Sequence, residues 1–91
     1  VPTRTLSLEL VNRRGLHARA AARFVRELER YRADATVSKD GHDVDGRSIM
    51  GLLMLGAPCG STVTVVLSGD DADEAAAMLT ELVSGGFGES E

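Results

Sequence analysis

Thr62-Val63-Thr64-Val65-Val66-Leu67 is the stretch that most narrows the folds open to this chain. Its alternation turns Val63, Val65 and Leu67 to one side, as in a strand buried on a single face. Thr5 to Val11 repeats the pattern, with Leu6, Leu8 and Leu10 inward and Thr5, Ser7 and Glu9 outward. A sheet with one apolar face must be covered, and helices are the usual cover. Ala21, Val25 and Leu28, flanked by Ala18, Phe24 and Tyr31, recur at helical spacing after the first strand. Ala75, Met78, Leu79, Leu82 and Val83 do so after the other. That last helix carries Asp71, Asp73 and Glu74 in its first turn, where the dipole favours acids, and Gly85-Gly86 ends it.

Between these units, Ala35 to Lys39 reads as a short strand, Asp40-Gly41 as a hairpin turn and His42 to Asp45 as the return strand, ending at Gly46. Ser48 is a good N-cap for the apolar run Ile49 to Leu55, which allows one to two helical turns before Gly56, Pro58 and Gly60 break it. The order is strand, helix, strand, strand, helix, strand, helix. It predicts an α+β fold, a four-stranded largely antiparallel sheet with helices on one face, occupying residues 1–91 as a single domain. The first two strands are joined by a helix and need not be neighbours in the sheet. With no tryptophan and few aromatics, the core must be aliphatic.

Charge is distributed unevenly. Residues 1–32 hold eight arginines against three glutamates, a balance of +5, whereas residues 33–91 hold two cations against eleven acids, a balance of −9. A basic face and an acidic or phosphorylated partner follow more naturally than nucleic acid, since the whole chain is acidic and lacks stacking aromatics. No run reaches the ~18 apolar residues of a membrane span, and no export signal is visible. The single cysteine, Cys59, excludes an internal disulfide and fits a reducing cytoplasm. His42 and Cys59 have no partner at zinc-ligand spacing, so neither a metal nor a cofactor is expected.

The chemistry concentrates in Asn12-Arg13-Arg14-Gly15-Leu16-His17-Ala18-Arg19-Ala20-Ala21. A glycine turn delivers His17 to the start of the first helix, where backbone N–H groups lack intrahelical partners and the dipole is positive. Such a position favours phosphate. Arg19 adds a fixed charge capable of bidentate bonding to phosphate oxygens, and imidazole is a nucleophile. The combination describes a histidine that accepts a phosphoryl group and stabilises it.

Gly-Leu-His-Ala-Arg-Ala-Ala at 15–21 resembles the phosphorylation-site motif of the HPr family, the histidine-containing phosphocarriers of the bacterial phosphoenolpyruvate-dependent phosphotransferase system. Gly46-Arg47-Ser48-Ile49-Met50-Gly51-Leu52-Leu53-Met54-Leu55 resembles the family's second signature, around a regulatory serine. The ending Gly86-Phe87-Gly88-Glu89 also fits, so the resemblance spans essentially the whole chain. It implies an open-faced β-sandwich, four antiparallel strands covered by three helices. By the same resemblance, enzyme I passes a phosphoryl group from phosphoenolpyruvate to Nδ1 of His17, which relays it to EIIA-type proteins. Arg19, with the backbone amides of Ala18 and Arg19, would steady the phosphate. Ile49, Met50 and Leu53 would dock both partners, and Ser48 would be the substrate of the HPr kinase/phosphorylase. The implied protein is a cytoplasmic carrier rather than a turnover enzyme, and a surface left open for partners favours a monomer.

One position departs from the pattern. The family usually has proline after the arginine, and here Ala20 follows Arg19. Alanine keeps helix propensity and restores an N–H donor in the first turn. Alanine-rich variants of this motif resemble the regulatory, nitrogen-branch type of the system.

Two rival functions remain at this point. A small hydrolase or mutase could use His17 as a covalent nucleophile, but it needs a general acid and a pocket, for which no second group is evident. A regulatory module could work mainly through Ser48, in which case His17 would be dispensable. Serine before an apolar run is often only an N-cap.

Overall fold

The computed structural model describes residues 2–89. Its elements are β1 (Thr3–Glu9), α1 (Ala18–Leu28), β2 (Asp34–Lys39), β3 (His42–Asp45), α2 (Ile49–Met54), β4 (Thr62–Ser68) and α3 (Ala72–Ser84), followed by a 3₁₀ turn at Gly86–Gly88. The strands form one antiparallel sheet in the order β1-β4-β2-β3. Strands β1 and β2 are separated by β4, as the helical connection between them permits.

Register follows burial. Leu6 pairs with Val65, Val65 with Val37, and Val37 with Val44, so one apolar row crosses all four strands. Leu8–Val63 and Ala35–Leu67 continue the same face. A one-residue slip would turn every one of these side chains to water. Thr62, Thr64 and Val66 line the opposite face and are exposed, so the helices cover one side only. Ala20, Ala21, Phe24, Val25 and Leu28 of α1 close the core with Ala72, Ala75, Ala76, Leu79 and Val83 of α3. Ala18 is exposed and Ala20 is buried in its place, while Tyr31, Met78 and Leu82 are only partly covered.

The Asp40-Gly41 turn has φ of 52° and 80°, the left-handed pair that a two-residue hairpin requires. Strand β1 begins and ends two residues before the stretch its alternation marked; Leu10 still points inward, but its N–H bonds Ser61 O at 2.9 Å beyond the ladder. The 3₁₀ turn was not foreseen. It is a short consequence of glycines flanking Phe87.

Candidate functional site

The site is assembled from three places in the chain, beginning with the turn before α1. Gly15 N–H donates to Asn12 O at 3.0 Å and His17 N–H to Gly15 O at 3.0 Å. Leu16 N–H donates to Ala57 O at 2.9 Å, fastening this loop to the segment after α2. Gly15 has φ of 62°, and a Cβ there would lie 2.3 Å from Ala57 O. Only glycine satisfies both the left-handed backbone and that close approach.

His17 is the N-cap of α1, with extended backbone (φ −81°, ψ −178°). Its Nδ1 accepts a hydrogen bond from Arg19 N–H at 3.3 Å. On the other side of the ring, Nε2 contacts Glu89 Oε2. An ionised carboxylate can only accept, so Nε2 carries a proton. The Arg19 amide can only donate, so Nδ1 presents its lone pair to the helix terminus. Both neighbours therefore select the tautomer protonated at Nε2, with the Nδ1 lone pair facing the positive end of the helix dipole.

Glu89 comes from the chain's far end. Gly86, Phe87 and Gly88 have successive φ values of 66°, 58° and 74°, a left-handed reversal that carries Glu89 back over α1. Phe87 is the unusual member, and burial of its ring offsets the conformational cost. Asn12, only 4% exposed, secures the arrangement. Its Nδ2 donates to Gly15 O at 2.7 Å and to Glu89 Oε1 at 3.0 Å. The Asn12 bond, then the His17 bond, hold the Glu89 carboxyl below the usual carboxylate range, against the opposing effect of burial. Asn12 Oδ1 is buried without a partner among the described residues.

Asn12 and Glu89 were missed as site residues by sequence reasoning. Asn12 reads as an ordinary turn residue, and Glu89 lies 72 positions from His17. The one available signal was the Gly-Phe-Gly spacing before Glu89, which permits a sharp reversal.

The second signature forms α2. Ser48 caps it, its Oγ accepting from Gly51 N–H at 3.0 Å, and the residue is half-exposed. Arg47, beside it, donates to Ala33 O at 2.8 Å and Tyr31 O at 3.3 Å, so its charge is committed to the chain's own carbonyls. Ile49 and Met50 are exposed and Leu53 is half-buried. Met54, not among the expected docking residues, is 80% exposed, whereas Leu52 is wholly buried. His42 lies at the hairpin and Cys59 on the surface, its Sγ 3.8 Å from Val11 O. Among the described residues no helix is long and apolar enough to cross a membrane.

A small α+β fold here presents a helix-capping histidine beside an arginine at its surface. Comparison with known proteins identifies its class. Residues 5–85 match the family model described as "PTS HPr component phosphorylation site". The phosphocarrier protein HPr of Neisseria meningitidis is 41% identical over 85 residues, covering 93% of this chain and 96% of that one. The crystal structure of HPr-C-His from Thermoanaerobacter tengcongensis superposes with a TM-score of 0.91 at 38% identity, covering 97% of this chain and 99% of that one. An HPr dimer from the same organism matches with a TM-score of 0.75 at 39% identity, covering 92% and 97% of the two chains. The chain belongs to the HPr family of phosphocarrier proteins of the phosphotransferase system.

Proposed function

We propose that this chain relays a phosphoryl group from enzyme I to an EIIA-type acceptor through Nδ1 of His17. The observation that carries the reading is the double restraint on the imidazole, Nε2 on Glu89 and Nδ1 beneath the Arg19 amide. Nδ1 attacks the phosphorus held on the donor's histidine; the new N–P bond forms as the donor's N–P bond breaks, and the electron pair returns to the donor imidazole. The ring keeps its Nε2–H and becomes cationic, and the Glu89 carboxylate lies against that charge. Phosphorylation takes the Nδ1 lone pair away from Arg19 N–H, which then finds a phosphate oxygen in its place. The Ala18 and Ala20 amides belong to the same open first turn, and the Arg19 guanidinium supplies charge. Little covalent work is asked of the protein, since phosphoryl transfer is governed by positioning and electrostatic stabilisation. Onward transfer is the reverse displacement, with the acceptor as nucleophile. No cofactor is needed.

The exposed part of α2, Ile49 and Met50 with the edge of Leu53, supplies an apolar surface for both partners. Ser48 is proposed as a second, regulatory phosphorylation site of the kinase/phosphorylase type. A phosphate there adds about −1.5 to −2 charge beside the docking surface and disfavours acidic partners. A cytoplasmic monomer suits repeated brief docking, although one matched relative has been crystallised as a dimer. Sedimentation of the unmodified protein tests that point.

The deciding experiment incubates the protein with phosphoenolpyruvate and a family enzyme I and records intact mass before and after mild acid. The expected result is one acid-labile phosphoryl group, lost in His17→Ala and kept in Ser48→Ala. No labelling beside an active donor would shift the weight to Ser48.

A further inference from the structure

A second basic site lies beside the histidine rather than on it. Arg19, Arg23 and Arg26 follow one another at helical spacing along one face of α1, and Arg13 joins them from the preceding loop. With Gly88 and Glu89 of the returning tail they enclose a groove of about 670 Å³, floored by small side chains at Ala20 and Ala22. His17 does not line it. The volume falls within the ~300–1,000 Å³ of small-molecule sites.

Two of the arginines keep their hydrogen-bond donors open. The side chains of Arg19 and Arg26 make no hydrogen bond or ion pair within the described residues. Arg23 is held as part of the wall, donating to Phe87 O at 3.3 Å and lying 3.8 Å from Glu27. Glu89 is the one acid lining the groove among the described residues, and its carboxylate is turned to Asn12 and His17. Along the helix axis Arg19 and Arg26 are about 10 Å apart at 1.5 Å per residue. Guanidinium forks extended outward at that spacing suit a ligand with two linked anionic groups, one for each fork.

We propose that this groove binds a small molecule carrying two or more phosphoryl groups, at a site that adjoins the phosphoryl position on His17 and shares Arg19 with it. An occupied groove would neutralise the basic face of α1 and compete with an acidic partner, linking docking to the concentration of a polyphosphorylated metabolite. The binding event itself does not depend on the relay.

The probe is inorganic pyrophosphate, with orthophosphate as the single-group control, titrated at constant ionic strength against ¹⁵N-labelled protein by NMR. Saturable shifts should appear at the Arg19, Arg23 and Arg26 side chains and at residues 87–89, about tenfold tighter for pyrophosphate than for orthophosphate. Arg26→Gln should weaken pyrophosphate about tenfold. Arg30→Gln, which removes an equal charge outside the groove, and His17→Ala should leave affinity unchanged. Absence of saturation, equal affinities for the two anions, or equal losses from Arg26→Gln and Arg30→Gln would overturn the proposal. Loss with His17→Ala would do so too, by assigning the ion to the helix terminus. If Arg26→Gln weakens enzyme I binding while pyrophosphate is silent, the face is a protein-docking surface and the small-molecule site is refuted.

Discussion

A 3.0 Å hydrogen bond joins Asn12 Nδ2 to Glu89 Oε1 across 77 positions of sequence. The same Asn12 nitrogen donates to Gly15 O, so one buried amide ties the returning tail to the turn that delivers His17. A buried amide nitrogen with two fixed acceptors holds its neighbours more tightly than an exposed one. Glu89 is therefore positioned before it meets the imidazole.

This arrangement sets a pH dependence. Glu89 titrates below the ordinary glutamate value of 4.5, chiefly because Asn12 and then His17 bond its charged form. The native state thus binds fewer protons than the unfolded state in this range. The contact contributes fully above the ordinary value and is lost as pH falls through the depressed native one. Carboxyl ¹³C titration by NMR should find the Glu89 midpoint raised in Asn12→Ala and, to a smaller extent, in His17→Ala. An unchanged midpoint in Asn12→Ala would contradict the assignment.

Removing the carboxylate should affect chemistry more than folding. In Glu89→Ala the Arg19 amide alone restrains the ring, and the tautomer protonated at Nδ1 becomes populated. Ring ¹⁵N shifts of His17 should register that mixture. Transfer from enzyme I should slow about three- to tenfold, up to ~1.4 kcal/mol on the barrier. Core amide shifts should remain in place. Unaltered ring shifts would remove Glu89 from the relay.

The regular elements were legible because local pattern and tertiary environment agree. Val63, Val65 and Leu67 alternate in the sequence and are the buried face of β4, and Ser48 caps α2 as its position before an apolar run implies. His17, too, could be placed at a helix N-cap from its glycine turn and the periodicity that follows. Ala20 was harder to assign, because alanine fits the core face and the solvent face equally well. Asn12 and Glu89 were illegible for a different reason. Their pairing depends on three consecutive left-handed residues near the chain's end, and Phe87 gives no local sign of adopting one. Met54 was missed because a run of apolar residues does not reveal which of them a two-turn helix leaves outside.

The loop carrying His17 should be intolerant of any side chain at position 15. Gly15→Ala combines an unfavourable left-handed φ with a Cβ placed 2.3 Å from Ala57 O, so backbone must shift on one side or the other. A loss of about 2–4 kcal/mol is expected from strain and displacement together. Denaturant unfolding would measure it. A loss below ~0.5 kcal/mol would mean that the loop relaxes freely and does not position the histidine.

Helix α2 offers a direct separation of core from docking surface. Leu52 is wholly buried, whereas Met50 and Met54 are 67% and 80% exposed on the same short helix. Leu52→Ala should cost about 2–5 kcal/mol of stability through lost burial and the cavity left behind. Met50→Ala and Met54→Ala should each lie within ~0.5 kcal/mol of the parent in unfolding experiments. If the apolar face of α2 is where enzyme I docks, the pair should instead weaken that association, with about 1 kcal/mol or more lost at a well-packed contact, a fivefold or larger rise in Kd. Calorimetric titration against enzyme I, beside thermal unfolding of the same variants, reads both effects. Methionine variants that bind as tightly as the parent would move the docking surface off α2 and onto the arginine face of α1.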